Sequence, residues 1–379
     1  MVLAKKIIYL DHAATTAIKE EVIKEMMPYL TEQYGNPSSL YSFGRKSKKA
    51  IENARMQVAT SINSKKSEIY FTSGGTESDN LAIKGVARYY RNKGKHIITS
   101  RVEHHAVINT CKRLEKEGFE VTYLAVDKSG RISIEELKNA IRKDTILISI
   151  MMANNEIGTI QPIKEIGKIA REKGIIFHTD AVQAVGSLFI DVEDLGVDLL
   201  SISAHKFYGP KGVGALYIRK GTSIEELLDG GAQERGRRPG TENIPSIVGM
   251  GKAIEIATEN LETYQKKMCY LRDETIAQIL KRIPKAYLNG HAIDRLPGNV
   301  NMIFPSMEAE SMILKLDQRG IAVSSGSACA SGSLEPSHVL KAIGLSHEVA
   351  QRSLRFTFGE ENTIKDVEDL VEVLVDIIK

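Results

Sequence analysis

The chain has little that would place it in a membrane. Its longest near-apolar run, Ile146 to Ala153, falls far short of the ~20 residues a spanning helix needs. Lys5 and Lys6 are followed by no long apolar stretch, so no secretory leader is read. Cysteine is scarce: Cys111, Cys269 and Cys329 lie far apart and form no Cys-x-x-Cys pair. That pattern argues against a disulfide framework or a zinc ribbon, suits a reducing cytoplasm, and leaves room for one reactive thiol. Excess charge is also small. Fifty-one basic against forty-eight acidic residues leave +3, too little for a dedicated nucleic-acid binder. Neither GxxxxGK nor GxGxxG occurs, so nucleoside-triphosphate and dinucleotide readings lose support. His104 and His105 are adjacent, and His347-Glu348-Val349-Ala350-Gln351 lacks a zincin's second histidine. No intrinsic metal site is expected from them.

What is present reads as a globular α/β protein. A hydrophobic share of 42% and a charged share of 26% are ordinary for a soluble fold, and 379 residues exceed what one core usually serves. β-rich runs near Glu68–Thr72, Lys95–Ser100, Val121–Val126, Thr145–Met151, Ile175–Thr179, Val197–Ser203 and Val213–Ile218 alternate with helical patterns. Several runs are almost wholly apolar, as strands covered on both faces are. The alternation predicts a mostly parallel seven-stranded sheet. The link from Ser203 to Val213 is too short for a helical crossover, so an antiparallel strand is expected there. From about residue 260 the texture changes. A charged helix from about Leu261 to Ile283 leads into a second α+β segment. A closing amphipathic helix follows, with Ile364, Val367, Leu370, Val371, Leu374 and Ile378 at helical spacing. The expected division is a large domain over 16–260 and a smaller one from 1–15 and 261–379.

Four stretches carry chemistry-bearing residues. The apolar run from Val197 ends in Ser203-Ala204-His205-Lys206, which puts Lys206 at a strand's carboxyl end, where α/β sheets bind ligands. A partly desolvated amine there can form a Schiff base, although a lone lysine is far more often a solvated loop residue. Asp180 ends another strand. It can pair with a protonated pyridine nitrogen or simply cap a helix. Thr72-Ser73-Gly74-Gly75-Thr76 is a strand-to-helix turn that suits a phosphate, or an ordinary capped turn. Cys329 lies among serines, alanines and glycines, the composition of an exposed loop, whereas Cys111 and Cys269 fall in helical patterns and read as buried packing.

Together and in order, these stretches resemble one family. Tyr9 to Thr16, Gly35-Asn36-Pro37-Ser38-Ser39, Gly75-Thr76, Glu103-His104-His105, Asn154 to Gly158, His178 to Gln183, Ser203 to Lys206, Arg238-Pro239-Gly240-Thr241 and Ser325 to Cys329 all fit it. The chain resembles the cysteine desulfurases of the NifS/IscS type, which are class V aminotransferases and fold-type I pyridoxal-phosphate enzymes. The resemblance implies that L-cysteine is converted to L-alanine, with the sulfur passing to Cys329 as a persulfide. It implies pyridoxal 5′-phosphate held covalently by Lys206, with Asp180 on the pyridine nitrogen and His104 against the ring, where it also moves protons. Asn155 and Gln183 would contact ring substituents. Gly75, Thr76, Ser203 and His205 would bind the phosphate. Thr241 would reach the phosphate of a neighbouring subunit, which requires a homodimer with a shared active site. Asn36 and Arg355 would hold the substrate carboxylate.

Partner expectations follow from the same likeness. The residues around Cys329 resemble the long-loop members that feed iron–sulfur scaffold proteins, while Gly231 to Asn243 leans toward the NifS branch. The sequence stops at Lys379, soon after its last helix, without the longer tail with which housekeeping members dock a scaffold. Transfer-RNA thiolation and other sulfur acceptors therefore stay open, as does transient iron–sulfur ligation by Cys329. The rivals are an aminotransferase, a selenocysteine lyase, and a non-catalytic binding protein on the same fold.

Overall fold

The computed structural model describes residues 7–325 and 337–379, so Lys5, Lys6 and Cys329 lie outside the described residues. A two-residue strand, β1 (Ile8–Tyr9), precedes the large sheet. That sheet comprises β2 (Ile69–Thr72), β3 (His96–Ser100), β4 (Glu120–Leu124), β5 (Thr145–Ser149), β6 (Ile176–Asp180), β7 (Leu199–Ser203) and β8 (Gly214–Ile218). Its spatial order is β2-β8-β7-β6-β5-β3-β4. All neighbours pair in parallel except at β8, which runs antiparallel to both β7 and β2. The short link after Ser203 thus does what its length required. Every residue of β3, β5, β7 and β8 is buried, whereas edge strand β4 exposes Glu120.

Helices cover both faces. One face packs against helices Ser42–Ser61, Ile163–Lys173 and Ile244–Glu259, the other against Gly75–Tyr90 and His105–Lys116. Helix Ile163–Lys173 ends at Gly174, whose left-handed φ of 64° suits a glycine cap. A buried ion pair fixes the β2 edge. Arg55 Nη1 and Nη2 each donate to Glu234 at 2.7 Å, and Glu234 also accepts from the Phe71 amide at 2.8 Å. Glu234 and Arg235 adopt left-handed φ values of 46° and 56° to make this turn.

Strands β9 (Tyr287–Leu288), β10 (Asn299–Ile303), β11 (Ile321–Ala322), β12 (Ser324–Ser325) and β13 (Ser353–Thr357) build the rest. Four of them form an antiparallel sheet ordered β12-β13-β10-β9, while β11 pairs in parallel with β1. A separate core under helices Leu261–Arg282, Ala309–Asp317 and Ile364–Ile378 includes Leu10 from the amino-terminal stretch. The last helix buries Val367, Leu370, Val371, Leu374 and Ile377, and Ile364 and Ile378 pack half-buried against the same core.

Two further sequence readings need adjustment. β5 ends at Ser149, and Ile150 to Ala153 stay buried beyond it, with the Ile150 and Met152 amides still donating to the His178 and Asp180 carbonyls at 3.1 and 2.8 Å. Cys111 is buried as expected, but Cys269 is only half-buried, because its helix turns that position partly outward.

Candidate active site

Because β2, β3, β5, β6 and β7 point the same way, their carboxyl ends deliver five loops to one edge of the sheet. There they surround a cavity of about 250 Å³. Its wall includes Gly75 and Thr76 after β2, His104 after β3, Asn155 after β5, Asp180 and Gln183 at the end of β6, and Ser203, His205 and Lys206 after β7. Arg355, from β13 of the smaller sheet, also lines it. Ten of the thirteen residues singled out from the sequence therefore meet in one place. Asn36 and Thr241 are exposed on this single chain and lie outside the cavity, and Cys329 falls outside the described residues.

The Gly75 end is built for an anion. Gly75–Tyr90 is a sixteen-residue helix whose amino terminus opens on the cavity beside Ser203 and His205. Free N–H groups and the helix dipole both favour negative charge there. Glycine is required by space: a β-carbon on Gly75 would come within 2.6 Å of Val182. Burial and the neighbouring Lys206 and Lys211 charges hold the His205 pKa down to about 4, so its ring is neutral at pH 7. Its Nδ1 lies 3.2 Å from Thr15 Oγ1.

The opposite end is acidic and dry. Asp180 accepts from the Val182 amide at 2.9 Å. Its burial raises the carboxyl pKa, and the charges of His104 and Lys206 and the Val182 hydrogen bond pull it back. Asp79 lies behind it, 1% exposed, raised well above the usual range by burial and by Asp180. His178 is wedged beside them, with Ser149 Oγ at 2.9 Å and Ser201 Oγ at 3.0 Å on its two nitrogens. Burial lowers its pKa to about 3, so it stays neutral and offers Asp180 no charge. A ring N–H from a ligand is a donor from which this buried carboxylate can accept.

The imidazole of His104 has a defined tautomer. Nδ1 accepts from the Ala106 amide at 3.1 Å, as a helix N-cap, and burial lowers the ring's pKa. In the neutral ring the proton therefore sits on Nε2. Lys206 lies in a single 3-10 turn, Ala204–Lys206, not at the strand end itself. Its Nζ donates to the carbonyls of Ala13 at 2.5 Å and Ala14 at 2.8 Å. Gln183 Nε2 donates to the same Ala13 carbonyl at 2.9 Å, which directs its amide oxygen the other way.

Arg355 is 2% exposed. One guanidinium nitrogen reaches Asp11 at 2.7 Å and another the Asn155 carbonyl at 3.0 Å, while the buried Nε has no partner. Glu103 and Glu156 also line the cavity, with pKa values lifted to about 8 and about 7 by burial. Sequence reasoning passed over Asp79, Glu103, Glu156 and His338, although three of them sit inside or beside the motifs quoted above. The signal available was adjacency to chosen residues, as in Glu103-His104 and Asn155-Glu156. The set fits a flat aromatic ligand with an anionic group at one end, a basic ring nitrogen at the other, and an electrophile within reach of Lys206.

Comparison with known proteins agrees with this geometry. The aminotransferase class-V family model matches residues 8–370. A protein named cysteine desulfurase IscS from Methanosarcina thermophila is 59% identical over 374 residues, covering 99% of this chain and 92% of that protein. A solved structure titled NifS-like protein superposes with a TM-score of 0.92 at 39% identity, covering 98% of this chain and 99% of its own. Another, titled SspA in complex with cysteine, gives 0.83 at 40% identity, with 92% and 98% covered.

Proposed function

Because the chain belongs to the aminotransferase class-V family and is a cysteine desulfurase of its NifS/IscS branch, a pyridoxal-phosphate-dependent group, we propose that the cavity holds pyridoxal 5′-phosphate and L-cysteine together. One observation carries the reading: a single cavity gathers an anion-binding helix terminus, the buried Asp180 carboxylate and the Lys206 amine. Gly75, Thr76, Ser203 and His205 hold the phosphate. Asp180 faces the pyridine nitrogen, His104 lies on the ring face, and Asn155 and Gln183 contact the ring substituents. When bound, the cofactor supplies an electron sink for the substrate's α carbon.

The protein's own groups do the rest. Arg355 clamps the substrate carboxylate with its guanidinium, whose charge Asp11 holds in place. Asn36 joins it from the exposed segment near the cavity. Lys206 takes the α-proton on Nζ, and the Ala13 and Ala14 carbonyls aim that nitrogen. His104 Nε2–H exchanges a proton with the substrate side. The thiolate of Cys329 attacks the substrate sulfur. The carbon–sulfur bond breaks, a sulfur–sulfur bond forms, and the β carbon gains a hydrogen. Two thiols become one persulfide and one methyl group, so no outside oxidant is needed. Covalent reach supports this role for Cys329. Ser325 pairs with Leu354, next to Arg355, and four residues span at most ~14 Å.

The same reading extends to partners. We assign residues 16–260 to a large domain and 1–15 with 261–379 to a small one. A second copy of the chain completes the site by bringing Thr241 to the phosphate; Leu40 and Tyr34, 89% and 71% exposed beside Asn36, suit a surface covered by that copy. The persulfide is passed to an iron–sulfur scaffold protein or to a transfer-RNA thiolation pathway, in the cytoplasm. No helix among the described residues is long and apolar enough to cross a membrane. Mass spectrometry after incubation with L-cysteine tests the reading. Cys329 gains one sulfur, about 32 daltons, and Lys206→Ala does not. An unmodified Cys329 in the wild-type enzyme, with alanine still formed, overturns it.

A further inference from the structure

Beyond Cys329 in the sequence, the chain at Ser337 and His338 is gripped from two sides of the cavity wall. Ser337 is 6% exposed and donates its hydroxyl to Glu156 Oε2 at 2.5 Å. The same hydroxyl oxygen accepts from the amides of Val339 and Leu340, at 3.1 and 3.2 Å, and so starts helix His338–Ala342. His338 Nε2 donates to the Glu103 carbonyl at 2.9 Å. Val339, Leu340 and Ile343 then pack on Val102, Met151 and Ile157. Every partner in this grip lies in the loops after β3 and β5, the loops that carry His104 and Asn155.

Glu156 is itself immobilised. Its amide donates to Asn154 Oδ1 at 2.9 Å, and its carbonyl accepts from Asn301 at 3.1 Å and Asn299 at 3.3 Å. It is 4% exposed and forms part of the cavity wall near Arg355. With its backbone held in this way, Glu156 offers its carboxylate to Ser337 from a fixed base in the cavity wall. Ser337 is eight residues beyond Cys329 in the sequence.

We propose that Glu156 is a positioning residue for sulfur transfer: through Ser337 it fixes the carboxyl-side end of the segment that carries Cys329. The inference rests on Cys329 being the sulfur acceptor. It separates two stages of the reaction. Cofactor and substrate are held by other residues, so L-cysteine binding is independent of the Glu156–Ser337 contact. Transfer to Cys329 depends on it.

The test uses the full-length holoenzyme, with two readouts in a single turnover. One is the change in visible absorbance when L-cysteine binds; the other is the rate at which Cys329 gains sulfur, followed by mass spectrometry. Ser337→Ala slows sulfur gain tenfold or more while the absorbance change keeps its amplitude and half-saturating concentration. Glu156→Ala leaves the helix cap on Ser337 intact and slows sulfur gain equally. Glu156→Gln, whose amide oxygen still accepts from Ser337, restores the rate to within about threefold. Wild-type sulfur gain in both alanine variants overturns the inference and leaves the proposed function standing. Parallel loss of both readouts also overturns it, since that marks a general structural role, and circular dichroism identifies any variant that fails to fold. No sulfur on wild-type Cys329 defeats the proposed function, and the inference with it.

Discussion

The pair Arg55–Glu234 allows a prediction with a worked magnitude. Both residues are nearly buried, at 4% and 7% exposure, and share two hydrogen bonds of 2.7 Å. Arg55→Met keeps much of the arginine's volume and removes its charge. Glu234 then has the Phe71 amide but no cation, in a site closed to water. Breaking a buried pair from one side costs about 3–5 kcal/mol. For a chain of this size, an m-value of ~3 kcal/mol/M or more turns that into a urea-midpoint shift of roughly 1 M. Glu234→Gln keeps the Phe71 bond and leaves Arg55 with Glu52, whose Oε1 lies 2.9 Å from its Nε, so its loss is the smaller of the two. The informative measurement is the double variant. If the pair acts as a unit, Arg55→Met with Glu234→Gln loses at least ~2 kcal/mol less than the two single losses combined. Cofactor release should follow the same order, because Phe71 lies in β2, four residues before Gly75. A single-variant shift under ~0.3 M, or strict additivity in the double variant, refutes the reasoning.

Other outcomes follow from the site. Arg355→Lys loses the planar fork, so KM for L-cysteine rises roughly 10- to 100-fold while the cofactor's visible absorbance is unchanged; an unaltered KM would show that the carboxylate binds elsewhere. Glu103 and Glu156 have folded pKa values of about 8 and about 7, above the ordinary carboxylate range. The folded state thus binds their protons more tightly than the unfolded chain does. Their contribution is fully present below about pH 4.5 and is lost as pH rises through 7 and 8, by up to ~1.4 kcal/mol per pH unit per group. Denaturation of the cofactor-free protein should show this fall, and Glu103→Gln should flatten it. His205 acts in the opposite sense: its folded pKa of about 4 means stability that is present above about pH 6.5 and lost as pH falls toward 4, a slope that His205→Gln should remove.

Much of the large sheet was legible because its signal is local. Strands buried on both faces are mostly apolar, and β3, β5, β7 and β8 add to their apolar residues only His96, glycine and small hydroxyl residues. The Gly74-Gly75 turn was legible because a phosphate cradle needs close backbone approach, and Val182 leaves no room for a β-carbon. The limits were physical too. The buried stretch after β5 looks like strand because apolar content reports burial, and there two amides still bond to β6 although the regular ladder has ended. The buried acids Asp79, Glu103 and Glu156 look like ordinary polar residues in sequence. What removes them from water is contributed by residues far away, such as Ser337, 181 positions from Glu156. Arg355 could be linked to the site only by resemblance, since the pairing of β13 with β10 and β12 that places it is long-range.

The amino-terminal stretch shows how the two halves of the site keep their spacing. Leu10 packs in the smaller core, and its carbonyl accepts from the Thr357 amide at 2.7 Å. Asp11 holds Arg355, and the Ala13 amide donates to Thr357 Oγ1 at 2.9 Å. Within two residues the same backbone changes sides. The Ala13 and Ala14 carbonyls hold Lys206, and the Thr16 hydroxyl links the His205 carbonyl at 3.0 Å to the Tyr208 amide at 2.8 Å. The arginine from one sheet and the lysine from the other are thus referenced to a ruler of about six residues. A ruler that short has little backbone freedom once both ends are bonded, so relative movement of the two sheets is resisted where substrate and amine must meet. Leu10-Asp11-His12-Ala13-Ala14-Thr15-Thr16 thus serves the site by position, although it has few titratable groups of its own.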